Sequence, residues 1–204
     1  VIHIHLSFPV HGTEMQEEDV QLETVDKVLT TSENVVNILL IGADYQSGGK
    51  PRSDSMILCT LNKKEKTLTM TSFMRDMYVQ IPGYKDNRIN ASYAFGGMDL
   101  LNECLVKNFG VAVDGNIEVD FDGFESVIDA VGGVDINLTK AEIRYLEKNG
   151  TLGLPGDTSY WEFTPGINHL DGMQALAYAR NRGTGGDGDF GRTNRQRIVL
   201  SAVF

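Results

Sequence analysis

Histidine and cysteine are scarce in this chain, and their scarcity limits the chemistry that the sequence can carry. Of 204 residues only four are histidines, and His169, which stands alone before a predicted helix, is the one histidine outside the N-terminal segment. A histidine general base is therefore not expected. Cys59 and Cys104 both lie in apolar segments, so we predict two buried free thiols rather than a disulfide framework.

Long apolar runs and a broad positive charge are also missing. No run reaches the roughly 20 apolar residues that a membrane-spanning helix needs. The chain has 18 basic against 28 acidic residues, a net charge of −10. Binding along a phosphate backbone requires an extended basic surface, so no nucleic acid partner is expected.

Length and composition fit one ordinary globular domain with a sizeable core, since 41% of the residues are apolar and 23% are charged. The opening VIHIHLSFPVHG lacks the basic flank and cleavage site of a signal peptide. We interpret residues 1–33 as a tag or juxtamembrane remnant followed by an acidic linker, and residues 34–204 as the folded domain. We expect any membrane anchor to lie outside this chain and the last helix to be truncated at its end.

Apolar runs alternate with turn signals in a way that predicts both strands and helices. Buried strands are predicted in VVNILLIGAD, YVQI, NIEVDF and VDINL, and a hairpin in SMILCTL and TLTMTSF around NKKEK. Capping and stop signals predict helices over residues 96–110, 122–133, 139–150, 171–182 and 191–204, with loops over 83–92 and 150–168. Hairpins beside helical connections predict a mixed sheet covered by helices.

Two aspartates lie at the ends of neighbouring predicted strands. Asp44 ends the first strand, and Asp54 follows Arg52 just before the next. Adjacent strands would bring both carboxylates to one sheet edge, where two hard oxygen ligands can hold Mg²⁺ beside a phosphate. On spacing alone, turn capping is the favoured interpretation, because aspartate often caps turns.

Two further arginines follow predicted strands. Arg75 comes directly after a strand end, which is where sheets present ligand-binding groups, although Arg75 and Asp76 also fit an ordinary surface pair of little energetic value. Arg88 lies in a polar loop and, taken alone, fits a solvated loop residue equally well.

Five of the nine arginines gather in YARNRGTGGDGDFGRTNRQR, residues 178–197. Arg180 and Arg182 lie at a predicted helix C-terminus, where the dipole favours cations. Arg192 and Arg195 begin the next helix, where the N-terminus attracts anions instead, so we predict an anion between the two groups. Gln196 shares their helix face, whereas we expect Arg197 to point elsewhere, into solvent.

These residues carry a family resemblance. The chain resembles the LytR-CpsA-Psr family of bacterial cell-wall phosphotransferases in seven ordered segments over residues 36–200, which read NILLIGAD, RSDSMIL, TSFMRD, RINASYAFGG, IEVDFDGFESVIDAVGGVDINL, GINHLDGMQALAYARNR and DFGRTNRQR. The resemblance implies a three-layer α/β/α sandwich on a mixed central sheet. It also implies an apolar tunnel for a polyprenyl tail, although core packing is the favoured role for VIDAV and LLNECLV.

The resemblance assigns roles residue by residue. Asp44 and Asp54 match the family's metal-binding aspartates, with Mg²⁺ as the expected cofactor and Mn²⁺ as an alternative. Arg75, Asp54 and Asp189 are expected to act in catalysis, and whether Asp189 orients an arginine or accepts a proton is left open. The expected pyrophosphate-binding residues are Arg52, Arg75, Arg88, Arg180, Arg182, Arg192, Arg195 and Gln196.

The resemblance implies an enzyme on the extracellular face of the cell membrane of a Gram-positive type bacterium. It would transfer a glycopolymer, such as wall teichoic acid or capsule, from a polyprenyl pyrophosphate carrier to peptidoglycan and release polyprenyl phosphate. Phosphoryl transfer mostly needs positioning and charge neutralisation, which arginines and Mg²⁺ supply. Two alternatives remain, a polyprenyl pyrophosphate hydrolase or pyrophosphatase and a non-catalytic binder of anionic wall polymer.

Overall fold

The computed structural model describes residues 2–3, 32–44, 52–186 and 188–204. Its elements, in chain order, are β1 (Ile2–His3), β2 (Val35–Asp44), β3 (Arg52–Asn62), β4 (Thr67–Ser72), β5 (Tyr78–Val79), β6 (Asn87–Arg88), α1 (Ile89–Phe109), β7 (Gly115–Val119), α2 (Phe121–Ala130), β8 (Val134–Leu138), α3 (Lys140–Asn149), β9 (Gly166–Leu170), α4 (Gly172–Arg180) and α5 (Gly188–Val203).

A mixed sheet forms the centre of the molecule. Within the described residues its five strands follow the order β1-β4-β3-β2-β7. The predicted hairpin is confirmed, since β3 pairs with both β2 and β4 in antiparallel register. β7 lies parallel to β2, and β1 lies parallel to β4. β1 was not predicted, because its segment was interpreted as a tag or juxtamembrane remnant.

Alternating apolar residues give the sheet two buried faces, as the two-residue period of a strand requires. On β2, Leu39 and Ile41 pack with Leu101 and Leu105 of α1 in one core cluster. Leu40 lies on the opposite face, in a cluster that also contains Leu200 of α5. Helices therefore cover both faces of the sheet, and the predicted three-layer α/β/α architecture is confirmed.

A second core cluster lies beyond the sheet, where α2, α3, α4 and α5 pack with the β8–β9 hairpin. Its buried centre includes Ile128, Ile136, Leu146, Tyr178 and Val199. The two cysteines belong to the sheet clusters, where both are buried and free, as predicted. Burial raises the pKa of both thiols.

Capping signals in the sequence predicted two helix starts correctly and one incorrectly. The capping boxes predicted at Thr139 with Glu142, and at Asp171 with Gln174, are both confirmed. The predicted start of α2 at Asp122 is wrong, because Asp120 is the N-cap and accepts a hydrogen bond from the Gly123 amide at 2.8 Å.

Three predicted boundaries differ from the structure for identifiable reasons. α1 begins at Ile89 rather than Gly96, because the Gly96–Gly97 pair interrupts a longer helix; Gly97 has φ +66° and ψ −153°. The predicted loop 150–168 ends in β9, which pairs with β8, and its glycines and prolines obscured this strand. α5 begins at Gly188, three residues before the predicted start.

Candidate phosphate site at the end of the central sheet

A cavity of about 500 Å³ opens where β2 and β3 meet α2, α4 and α5. Its polar lining includes Asp54, Ser55, Arg75, Asp120, Arg180, Arg182, Arg192 and Gln196. Its apolar lining includes Leu40, Ile57, Phe121, Phe124, Leu152, Leu176 and Leu200. The cavity therefore combines a cluster of guanidinium groups with a hydrocarbon surface.

A β-bulge places Asp54 in this cavity. Gly42 pairs with Ser55 and Ala43 pairs with Ser53, so the ladder between β2 and β3 skips Asp54. The Ser53 hydroxyl lies 3.4 Å from the sulfur of Met56, a residue of the α1 face. Asp54 and Ser55 both line the cavity on the other side. The extra residue thus turns two consecutive side chains toward the site.

Arg75 lies among three carboxylates. Its Nη1 donates to Asp54 Oδ1 at 3.0 Å, and its Nε lies 3.3 Å from Asp189 Oδ2 and 3.4 Å from Asp76 Oδ2. Partial burial disfavours the charged guanidinium, but the hydrogen bond and charge of Asp54, with the charges of Asp189 and Asp76, outweigh it and raise the pKa of Arg75. Arg75 is therefore held charged and oriented.

Asp189, in the first turn of α5, is shared by three arginines. Besides Arg75, it pairs with Arg192 at 3.2 Å and with Arg182 at 3.4 Å. Arg192 is almost fully buried, and its Nη2 also donates to the backbone carbonyl of Asp54 at 3.2 Å. One arginine from each predicted group, Arg182 and Arg192, thus pairs with the same carboxylate, that of Asp189.

Gln196 and Arg180 complete the polar lining. Gln196 Oε1 accepts a hydrogen bond from the Ser55 hydroxyl at 2.9 Å, which fixes the amide beside the bulge. Arg180 stacks over the Phe121 ring, with 4.6 Å between Cζ and the ring centroid, and its Nη1 lies 3.4 Å from the Thr151 carbonyl. Gln196 is therefore held by a polar residue of the cavity wall, and Arg180 by an aromatic one.

Two predicted site arginines lie outside the cavity, and a third arginine is not in the solvated position expected for it. Arg88 is 51% exposed, pairs with Asp76 at 3.1 Å and does not line the cavity. Arg195 is buried, and each of its nitrogens donates to a protein acceptor, so its assignment as a pyrophosphate ligand is corrected. The predicted solvated position of Arg197 is also wrong, because Arg197 is only 3% exposed and donates to the Ser72 hydroxyl.

The backbone of the expected metal pair lies as predicted, with Asp44 opposite Arg52 at the edge next to Asp54. The side chains of Asp44 and Arg52 lie outside the described residues, so their assigned roles stay predictions. Within the described part of the chain, no group of three or more His, Cys, Asp or Glu could hold a metal ion. None of the described helices is both long and apolar enough to cross a membrane.

Sequence reasoning missed several residues of the cavity wall. Ser55 and Asp120 lie in predicted strands. The β-bulge brings Ser55 to the site, and the N-terminal cap of α2 brings Asp120 there. Tyr145 projects from α3, a helix that carried no functional signal. The segments VIDAV and LLNECLV do not line the cavity, and Ile128, Leu101 and Leu105 within them are core residues, as favoured.

Comparisons with known proteins identify the family of the chain. The sequence model of the LytR_cpsA_psr family matches residues 4–204. The chain is 41% identical over 169 residues to a polyisoprenyl-teichoic acid--peptidoglycan teichoic acid transferase TagU from Bacillus mycoides, a match that covers 82% of this chain and 51% of the relative. The chain thus spans about half the length of the curated relatives it matches.

Solved structures give the same result at the level of the fold. TagT bound to LIIa-WTA superposes with a TM-score of 0.73 at 34% identity, over 86% of this chain and 66% of that one. YwtF (TagT) with bound octaprenyl pyrophosphate lipid superposes with a TM-score of 0.71 at 31% identity, over 86% and 68%. Because the family model matches nearly the whole length of this chain, the chain belongs to the LytR-CpsA-Psr family.

Proposed function

We propose that this chain carries the catalytic site of a phosphotransferase that moves a glycopolymer from a polyprenyl pyrophosphate carrier to peptidoglycan. One observation carries the proposal. Arg75, Arg182 and Arg192 gather around Asp189 beside a cavity that also has an extensive aliphatic and aromatic wall. A prenyl pyrophosphate has two matching parts, a compact anionic head and a hydrocarbon tail.

The relatives support the substrate class. The TagU proteins are named as transferases of teichoic acid from a polyisoprenyl carrier to peptidoglycan, and the TagT structures contain octaprenyl pyrophosphate lipid or a wall teichoic acid species. Teichoic acid is therefore the polymer we propose first, with capsule as the alternative. We further propose that the site works on the extracellular face of the cell membrane, as the sequence resemblance implies.

The proposed reaction is a phosphoryl-centred displacement. A hydroxyl of the peptidoglycan sugar attacks the phosphorus nearest the glycan, a new P–O bond forms, and the P–O–P bridge breaks. Polyprenyl phosphate leaves with the bridging oxygen, and the hydroxyl proton passes to a base. Arg75 and Arg192 would stabilise the charge that develops on the phosphoryl oxygens, because arginine donates to phosphate in pairs of hydrogen bonds.

Asp189 is assigned an orienting role in this mechanism. Its two carboxylate oxygens already face three guanidinium groups. A carboxylate so engaged fixes the directions of long, flexible side chains before the ligand arrives. Asp54 orients Arg75 in the same way, through its Oδ1.

The residues also fit a divalent cation. Mg²⁺ is usually bound through one or two carboxylates plus substrate phosphates. Asp54 supplies one carboxylate on the cavity wall, and the backbone of Asp44 lies at the neighbouring strand end. We propose that Asp44 and Asp54 hold Mg²⁺, or Mn²⁺ in its place, which would neutralise phosphate charge when bound.

Replacing Arg75 by alanine tests the function. We expect Arg75→Ala to reduce transfer from a lipid-linked donor to peptidoglycan fragments by about a thousandfold, because an arginine that stabilises transition-state charge contributes about that much. The matched control is Arg144→Ala, which removes an exposed arginine of α3 outside the cavity. Assays with and without Mg²⁺ test the metal assignment at the same time.

Other outcomes would identify the alternatives. Normal transfer by Arg75→Ala would contradict the catalytic assignment. Release of polyprenyl phosphate at the same rate with and without the acceptor would indicate a hydrolase. Tight binding of the donor without release of polyprenyl phosphate under any condition would indicate a binding protein.

A further inference from the structure

Arg195 belongs to the same motif as Arg192 and Gln196, yet its side chain leaves the cavity. Its Nε donates to Glu142 Oε1 at 2.9 Å, on α3. Its Nη1 donates to the Asn181 carbonyl at 3.1 Å, and its Nη2 donates to the Thr184 carbonyl at 3.1 Å and to the Thr184 hydroxyl at 2.6 Å. One buried guanidinium therefore connects α3 and α5 to the loop that follows α4.

The contacts of Arg195 lie on both sides of Arg182. Asn181 and Thr184 are buried, whereas the Arg182 side chain between them is about half exposed and reaches Asp189 at 3.4 Å. The Arg182 side chain can reach Asp189 only if the backbone that carries it is correctly placed. That backbone is fixed where Arg195 binds it, one residue before Arg182 and two residues after.

The same loop is fixed from two other directions. Asn181 Oδ1 accepts a hydrogen bond from the Gly183 amide at 2.9 Å. Gly183 lies directly on the Tyr145 ring, and a Cβ at this position would fall 2.2 Å from Tyr145 Cε2. No side chain larger than hydrogen fits there unless the loop or the ring moves, so this loop has one closely determined position.

Glu142 in turn holds Arg195. Its second oxygen, Oε2, accepts from the backbone amide and the hydroxyl of Thr139, at 3.0 and 2.7 Å, as the N-terminal cap of α3. The capping box that starts α3 thus also orients the carboxylate that holds Arg195. Tyr178 lies beside this pair, with its ring centroid 5.9 Å from Arg195 Cζ.

We propose that Arg195 is a positioning residue: it fixes residues 181–184 so that Arg182 reaches the phosphate site, and it does not bind the pyrophosphate itself. Arginine is required for this role because its rigid planar group carries donors on three separate nitrogens, each bonded to a different acceptor residue, whereas lysine carries all its donors on one nitrogen. The ligand-binding part of this inference rests on the proposed function, and the loop-fixing part does not.

The test combines Arg195→Lys with Arg182→Ala in a double-mutant cycle, with farnesyl pyrophosphate as the probe. Lysine keeps the charge opposite Glu142, so the variant is expected to fold. Each single variant should weaken binding by about tenfold, the value of a charge-assisted hydrogen bond to phosphate. The double variant should bind no more weakly than Arg182→Ala alone. Arg195→Lys combined with Arg75→Ala should instead show multiplied effects.

Hydrogen exchange gives a second measurement, which does not depend on the ligand. Arg195→Lys should accelerate exchange of the amides of residues 182–186 and leave those of α1 unchanged. Gly183→Ala displaces the same loop with Arg195 intact. It should also accelerate exchange there and weaken farnesyl pyrophosphate binding, without adding to the effect of Arg195→Lys.

Two results would overturn the proposal. Multiplied effects of Arg195→Lys and Arg182→Ala would show that Arg195 contributes to binding independently, as a ligand would. Unchanged exchange at 182–186 in Arg195→Lys would show that Arg195 does not fix the loop. If Arg182→Ala binds farnesyl pyrophosphate as tightly as the unmodified protein, Arg182 is not part of the phosphate site. Hydrogen exchange at residues 182–186 then decides whether Arg195 fixes the loop.

Discussion

Glu142 and Arg195 are the most deeply buried ion pair among the described residues, and both partners are fully engaged. Burial alone would raise the pKa of Glu142. The hydrogen bonds from the backbone and hydroxyl of Thr139 and from Arg195, together with the charge of Arg195, outweigh burial and place the pKa below its ordinary value of 4.5. The ionised carboxylate therefore contributes to the stability of the fold.

We predict that Glu142→Gln lowers the free energy of unfolding by about 3 kcal/mol at pH 7, because it leaves Arg195 without its counter-ion in a buried site. Because the folded-state pKa is depressed, this contribution is fully present above pH 4.5 and is lost as the pH falls through the folded-state value. Denaturant unfolding from pH 7 down to pH 3 should show the two proteins converging. Glu147→Gln, an exposed position on the same helix, is the control, and a difference as large at pH 3 as at pH 7 would contradict the prediction.

Local motifs were enough to group several residues that lie close together in the structure. Arg75, Asp54, Arg192 and Gln196 were all predicted and line one cavity, and Asp189, which was also predicted, lies 3.3 Å from Arg75. Arg88 was predicted with them but does not line the cavity. The errors concern Arg195 and Arg197, where helical spacing gave the direction from the axis but not what lies in that direction. Arg195 meets a carboxylate of α3, and Arg197 meets a hydroxyl of β4.

The turn between α2 and β8 shows how single glycines determine the packing of elements. Gly132 and Gly133 both have positive φ, of 88° and 91°. A Cβ at Gly132 would meet no atom within 4 Å, whereas one at Gly133 would fall 2.8 Å from the Leu170 carbonyl oxygen of β9. The two positions share backbone strain and differ only in the space that surrounds them.

We therefore predict that Gly132→Ala lowers the free energy of unfolding by about 1 kcal/mol, because alanine is less stable than glycine at positive φ. Gly133→Ala should lower the free energy of unfolding by about 2 kcal/mol more, because its Cβ would also push β9 away from the start of β8. Chemical denaturation of both variants measures the difference. Equal losses would show that the hairpin yields without cost.

Elements were predictable where one local signal decided them. The boxes at Thr139 and Asp171 determine two helix starts by side-chain hydrogen bonds within four residues, which sequence records directly. The start of α2 was ambiguous because two aspartates lie two residues apart. β9 depends on pairing with β8, a contact between distant parts of the chain that no local pattern contains.

The cavity lies where all three core clusters of the described structure meet. Its lining includes Ile41 from the cluster under α1, Leu40 and Leu200 from the opposite sheet face, and Phe124 from the helical cluster. Sequence could not separate these residues from ordinary core, because a wall and a packed interior have the same apolar composition. A ligand in this position would contact residues of all three core clusters.

We predict that farnesyl pyrophosphate raises Tm by about 5 °C when its concentration is roughly 100 times its Kd. At that concentration, binding to the folded state stabilises the protein by about 2.7 kcal/mol. Inorganic pyrophosphate, which lacks the hydrocarbon tail, should give a much smaller shift at the same concentration. Thermal unfolding followed by circular dichroism measures both. Equal shifts would mean that the apolar wall takes no part in binding.

Because β3 contains one extra residue at its bulge, the direction in which Asp54 points depends on the number of residues in this part of the strand. Removing Ser53 would let β3 pair with β2 without interruption, and the sheet would keep its hydrogen bonds. Because side chains alternate between faces, Asp54 would then take the position of Ser53 and point toward α1, away from the cavity. Folding and chemistry could thus be separated by a single codon deletion, a change that leaves every other residue of the site in place.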